Sequence, residues 1–114
     1  MVNSPKQILK TTFGYDSFRE HQEEIIQHVL AKKDCFVLMP TGGGKSLCFQ
    51  IPALTLEGTT LVVSPLISLM KDQVQALKAN GVKADYINSS LTSLEEQTIL
   101  NQAINGELKL LYLS

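Results

Sequence analysis

The 114-residue sequence predicts an α/β fold, a parallel sheet with helices on both faces. Three observations predict it. Strand-like and helix-like segments alternate four times after Asp34, the pattern of parallel strands joined by right-handed crossovers. Thr59–Val63 is β-branched and apolar, as in a strand buried on both faces. Three consecutive glycines, Gly42 to Gly44, separate an apolar run, Cys35–Met39, from an apolar helical stretch that begins at Leu47.

Capping signals mark the elements in order. Ser4-Pro5-Lys6-Gln7 reads as an N-cap, a proline at the first helical position and a glutamine that closes a capping box. Gly14 ends this helix. Ser17-Phe18-Arg19-Glu20 reads as a second capping box, and Ile25, Ile26, Val29 and Leu30 give the following helix its apolar face. Lys32-Lys33-Asp34 leads into a strand over Cys35–Met39. The helix after the glycines is expected to end or kink at Pro52, which lacks an N–H. Glu57-Gly58 is a turn before the Thr59–Val63 strand. Ser64-Pro65 opens a helix with Leu66, Met70, Val74 and Leu77 on one side, stopped by Asn80-Gly81. Val82–Ile87 reads as a strand and Asn88-Ser89-Ser90 as a polar loop. A helix follows over Ser93–Asn105, with Ser93 and Glu96 as its capping box, and Leu108–Leu113 is the last strand. In such sheets ligands gather at the carboxyl ends of the strands. The glycine loop, Ser64-Pro65 and Asn88-Ser89 all fall there, which suggests one shared rim.

The glycine loop carries the chemistry. Pro40-Thr41-Gly42-Gly43-Gly44-Lys45-Ser46 sits between a strand and a helix, as a phosphate-binding P-loop requires. Glycines let successive N–H groups curl inward into a nest for anionic oxygens. The following helix adds its unpaired N–H groups and dipole. Lys45 is a mobile positive charge suited to the β- and γ-phosphates and is the catalytic candidate; the Ser46 hydroxyl is placed to ligate Mg²⁺. The strict pattern has glycine five residues before Gly44, where this chain has Met39. The alternative is a glycine-rich turn between strand and helix.

Composition sets bounds. The chain is 44% hydrophobic and 18% charged, as in a globular protein of one domain at most. Its apolar runs are too short to cross a bilayer, and its start lacks the layout of a signal peptide. Cys35 and Cys48 read as buried free thiols in a reducing, cytoplasmic compartment. His21 and His28 share a helix face without further ligands, so no metal pair is assigned. A net charge of −1 argues against simple electrostatic binding of nucleic acid, though not against contacts from backbone amides.

Phe13–Gln22, Met39–Leu54 and Val62–Val74, with the shorter Ile87–Ser90 and Leu110–Ser114, together resemble the first RecA-like lobe of superfamily 2 helicases, most closely the RecQ family of DNA helicases. The resemblance covers essentially the whole chain and implies a truncated RecA-like P-loop NTPase domain. In it, residues 1–33 would be the helical adenine-recognition segment and 34–114 the P-loop α/β part. Loops of this helicase type accept residues other than glycine at the Met39 position. The family likeness implies that Gln22 bonds the adenine edge, with its amide paired to N6 and N7, and that Tyr15 and Arg19 pack on base or ribose. Thr41, Gly42, Gly43, Gly44, Lys45 and Ser46 would hold the phosphates of ATP and its Mg²⁺. Ser64, Pro65 and Ser68, at a helix start, and Asn88 and Ser89 would touch the DNA backbone without reading its sequence. Periodicity alone favours a polar helix start with Tyr15 and Phe18 as core anchors, and the family likeness reverses that order for Gln22 and Arg19. Phe13 and Phe18 are assigned to the core.

The family's Asp-Glu-Ala-His box does not occur in these residues, and Asp72 and Asp85 sit in other contexts. The likeness therefore implies an N-terminal fragment of a helicase that couples ATP hydrolysis to 3′-to-5′ movement on single-stranded DNA and to duplex unwinding, in repair and recombination. The fragment would bind nucleotide without turnover. Its location would be cytoplasmic, with the nucleoid or the nucleus as the site of action, and its oligomeric state is open. The rivals are a non-helicase P-loop ATPase and a non-catalytic nucleotide-binding module.

Overall fold

The computed structural model describes residues 4–38 and 44–114, which fall in two compact units, Met1–Glu57 and Gly58–Ser114. Among the described residues the first unit holds three helices, α1 (Pro5–Thr11), α2 (Gln22–Leu30) and α3 (Leu47–Thr55). α1 starts as its sequence dictates. The Ser4 hydroxyl accepts from the Gln7 N–H at 3.3 Å, and Gln7 Oε1 accepts from the Ser4 N–H at 2.9 Å. Gly14 takes φ +79° as the chain leaves the helix, a conformation that costs glycine little. Ile8, Leu9, Ile26 and Ile51 form the buried centre of this unit. Phe13, Phe18, Leu30, Leu47 and Leu54 pack around it, so the two phenylalanines are core residues.

Three expectations for this unit need correction. The capping box at Ser17–Glu20 does not form. α2 begins at Gln22 because His21 takes a left-handed φ of 69° and interrupts the helix before it. Gln22 itself reaches back, its Oε1 accepting from the Arg19 N–H at 2.8 Å. α3 does not end at Pro52 but passes through it to Thr55. A proline inside a helix costs about 3 kcal/mol or more. Burial of Ile51, Pro52 and Ala53 offsets that cost here. Finally, residues 35–38 form no strand. A strand exists through its neighbours' hydrogen bonds, and the first unit holds no described strand for this segment to pair with. Phe36 is 93% exposed, and Cys35 is an exposed thiol, not a buried one. Cys48 is buried, as expected.

The second unit is a sheet sandwiched by two helices. In chain order it runs β1 (Thr60–Val63), α4 (Ile67–Ala79), β2 (Ala84–Ile87), α5 (Ser93–Ile104) and β3 (Leu110–Leu113). The strands lie in the order β1-β3-β2, all parallel. β3 is central, and Leu110, Leu111 and Tyr112 are buried in succession, as a strand covered on both faces requires. Leu111 packs with Ile99 of α5 and with Leu108. On the other face the Tyr112 hydroxyl donates to Gln73 Oε1 of α4 at 2.8 Å.

β1 departs from the expectation of burial on both faces. Leu61 is 59% and Val63 78% exposed, while Thr60 and Val62 are half-buried. β1 is an edge strand, and its Leu61 face is in register with Leu111, beyond the cover of α5. Met70, Val74 and Leu77 of α4 are buried as the periodicity predicts. Leu66 is exposed because it is the N-cap, off the helical stripe.

The capping box of α5 lies one residue earlier than expected. Thr92, extended at φ −73° and ψ 162°, is the N-cap, and it exchanges bonds with Glu95. Those bonds hold the Glu95 carboxyl below the usual carboxylate range. A depressed native pKa adds stability above the unfolded value and loses it as pH falls through the native one. Glu95→Gln removes the titrating carboxylate that accepts from the Thr92 N–H, and urea melts of that variant and of the parent should converge as the pH is lowered through the carboxylate range. Separately, Thr92→Ala removes the hydroxyl that accepts from the Glu95 N–H and should cost about 1 kcal/mol, a typical capping loss.

Candidate nucleotide-binding site

The first unit brings the start of α2 to the start of α3. Of the predicted phosphate loop, Gly44, Lys45 and Ser46 are described; Thr41, Gly42 and Gly43 lie outside the described residues. Gly44 has φ +81°, a left-handed conformation that favours glycine. Its carbonyl accepts from Gln22 Nε2 at 3.1 Å, and the Cys48 thiol approaches the same oxygen at 3.9 Å. A Cβ built on Gly44 would collide with Gln22 Nε2 and meet the Arg19 Cδ at 3.8 Å. Glycine is thus required here both by dihedral and by close approach.

α3 is well placed to receive an anion. Its hydrogen-bond ladder starts with the Cys48 N–H bonding the Lys45 carbonyl at 3.0 Å. The N–H groups of the preceding residues precede that ladder, as at any helix start. Ser46 is the N-cap, but its side chain makes no capping bond, so the hydroxyl is not committed to the helix. Lys45 is exposed. These residues fit a bound nucleotide phosphate: a glycine-only cradle, a positive charge and a hydroxyl adjoin a helix N-terminus.

Cys48 is a neighbour of the site that the sequence does not reveal. It lies four residues after Gly44, one helical turn on, with its thiol toward the Gly44 carbonyl. Burial pushes its thiol pKa up, with a further rise from Cys35. A raised pKa keeps it a neutral thiol at physiological pH.

The predicted base-reading residues divide. Gln22 is 1% exposed, and both ends of its amide are bonded, to the Arg19 N–H and the Gly44 carbonyl. Arg19 and Tyr15 are exposed, and the aliphatic part of Arg19 lies beside Gly44.

In the second unit the predicted DNA contacts line one end of the sheet. Ser64 follows β1 and Asn88 follows β2, on either side of central β3. The Ser64 N–H donates to the Leu113 carbonyl at 2.9 Å, and the Ser64 hydroxyl accepts from the Leu66 N–H at 3.2 Å. That turn delays α4 to Ile67, two residues beyond the expected start at Pro65. Pro65 and Ser68 are exposed, and so is Ser89. Asn88 is buried: its Oδ1 accepts from the Ser90 N–H and hydroxyl, and its Nδ2 has no partner among the described residues.

Among the described residues no three His, Cys, Asp or Glu side chains gather as a metal cluster, and no helix is long and apolar enough to cross a membrane.

The sequence profile described as DEAD/DEAH box helicase matches residues 19–113. The chain is similar to a protein named ATP-dependent DNA helicase RecQ from Pasteurella multocida, 61% identical over 94% of this chain and 17% of the relative. A protein of the same name from Bacillus subtilis is 50% identical over 100% of this chain and 20% of the relative. ATP-dependent DNA helicase Q1 of Mus musculus is 44% identical over 96% and 17%. The chain spans 17 to 20% of the length of these relatives. The likeness read from the motifs is thereby borne out across nearly the whole sequence.

Proposed function

We propose a function from one premise: the chain belongs to the DEAD/DEAH box helicase family. Within that family we read it as the ATP-binding part of a RecQ-type DNA helicase that couples ATP hydrolysis to 3′-to-5′ movement and duplex unwinding. The observation that carries the reading is the bond between Gln22 and Gly44, which draws the base-recognition segment onto the phosphate loop.

Each residue has a task in this reading. The N–H groups at the start of α3 and the Gly42–Gly44 nest cradle the phosphates. Lys45 neutralises charge on the β- and γ-phosphates, and Ser46 holds Mg²⁺ through its hydroxyl. Tyr15 and Arg19, both exposed, flank the nucleoside. ATP supplies the phosphoanhydride bond whose cleavage drives movement. Ser64, Pro65, Ser68 and Ser89 hold the DNA backbone at the sheet rim, while Asn88, buried, shapes that rim through its bonds to Ser90 and does not itself reach the DNA. The carboxylates that would complete Mg²⁺ binding and polarise water are not among these residues, since no Asp-Glu-Ala-His sequence occurs in them. Binding and orienting the nucleotide is therefore this chain's share of the chemistry. Action on DNA places the protein in the bacterial cytoplasm at the nucleoid, or in a nucleus.

The test is ATP hydrolysis by the full-length protein with and without single-stranded DNA. Strong stimulation by DNA, with unwinding of a duplex that carries a 3′ tail, is the expected result. Hydrolysis indifferent to DNA would instead identify a P-loop ATPase of another kind.

A further inference from the structure

We propose that α5 carries a two-fold interface, its outward face docking antiparallel on the same face of a second copy of this chain. The inference goes beyond nucleotide binding and rests on the second unit alone.

The helix has two sides of different character. Ile99 is buried and packs with Leu108 and Leu111. At about 100° per residue, Leu94, Gln97, Asn101 and Ile104 fall within about 80° of one another, on the side opposite Ile99. Leu94 is 77% and Ile104 79% exposed, Gln97 and Asn101 are exposed, and Leu100 borders the stripe. A single exposed leucine is ordinary. The arrangement of these residues is not. Leu94 and Ile104 each stand five residues from Ile99, and Gln97 and Asn101 each stand two. The stripe therefore reads the same in both directions: apolar, amide, amide, apolar. It holds no charge, since Glu95 and Glu96 stand outside it around the helix. Glu95 is instead turned back to the Thr92 N–H.

That symmetry selects the occupant. A two-fold axis at the level of Ile99 sets Leu94 against Ile104 of the second copy and Gln97 against Asn101 of the second copy. Self-complementary patches of this kind build the commonest protein dimers. The amides agree with the same pairing. Within one helix Gln97 Nε2 donates to Asn101 Oδ1 at 3.1 Å. That leaves an acceptor, Gln97 Oε1, and a donor, Asn101 Nδ2, without a partner among the described residues. Across the axis each such acceptor meets such a donor, twice. A charged partner would find no complement on this stripe, and an identical one meets no repulsion. An unrelated segment has no reason to mirror its spacing. The helix has 12 residues and is about 18 Å long. One pair of such helices falls short of the roughly 1,000 Å² that a stable interface needs. The association is therefore weak, reversible and set by concentration.

The full-length protein and its Leu94→Lys and Ile104→Glu variants are sedimented over a wide range of concentrations. The parent protein is expected to pass from monomer to dimer as concentration rises. Each variant sets a charge against an apolar side chain and should weaken that association by about tenfold or more. Mixing the two variants should restore it. In the mixed dimer the lysine introduced at 94 meets the glutamate introduced at 104, while Ile104 of the first variant still meets Leu94 of the second. No parallel pairing has that property. Both positions are exposed, so melting temperatures should stay close to that of the parent protein. Gln97→Ala is the milder probe should either charged variant unfold. It removes one acceptor on each side of the axis and should also loosen the dimer. A parent protein that stays monomeric at every concentration would overturn the proposal, and so would a dimer that none of these changes weakens. Failure of the mixture to regain association would overturn the antiparallel pairing. Lowered melting temperatures with association unchanged would show that the longer protein covers this face with its own chain, which overturns the proposal as well.

Discussion

Replacing Lys45 with alanine is expected to abolish ATP hydrolysis and DNA unwinding by the full-length protein. The residue follows Gly44 immediately, and its side chain is exposed beside the start of α3. No other lysine or arginine lies between Lys33 and Lys71 in the sequence, so the loop has no nearby substitute along the chain. Phosphoryl transfer depends on positioning and charge stabilisation. Loss of a single well-placed donor typically costs about 10²–10³ in rate. A steady-state assay with saturating DNA should show at least that loss. Because Lys45 is solvent-exposed, melting temperature should stay close to that of the parent protein. Undiminished turnover would remove Gly42–Ser46 from the mechanism.

Gly44→Ala is expected to remove nucleotide binding and lower stability together. The left-handed backbone at φ +81° costs a non-glycine residue about 1–2 kcal/mol. The new methyl also meets the Gln22 amide head-on. The amide is the free end of a side chain, so it can swing aside, but only by breaking its bonds to Gly44 and to the Arg19 N–H. The two substitutions should therefore fail to add. In a double-mutant cycle, Gly44→Ala should cost little further binding once Gln22 has been replaced by alanine. Fully additive losses would show that the two residues act separately.

Much of this molecule was legible because its local signals agree with its packing. The Ser4–Gln7 box, the Met70-Val74-Leu77 stripe and the parallel sheet all follow from patterns whose cause lies within a few residues. The failures share a different cause. Pro52 has every local reason to end a helix, yet buried neighbours on both sides keep α3 going. Residues 35–38 have an apolar pattern suited to a strand, but pairing comes from other segments and no periodicity reports it. The caps at Ser17 and Ser93 were misplaced because several residues nearby could serve. Backbone dihedrals at His21 and Thr92 made the choice. At the site, the glycine–lysine–serine run was plain in the sequence. The Cys48 contact was not, because a cysteine in an apolar helix looks like any small core residue. Nor could the sequence say that Gln22 faces the loop, because that depends on a bond spanning 22 residues.

The hydroxyl bond from Tyr112 to Gln73 has a mechanical consequence. A helix resting on a sheet through aliphatic contacts alone can roll, since one smooth surface resembles another. A directed bond of 2.8 Å from the central strand removes that freedom for α4. Advancing α4 by one residue would swing Gln73 by about 100° and take the bond with it. Any push on the Ser68 end of α4 is then delivered to the middle of the sheet as a displacement of the whole rod, not dissipated as rotation.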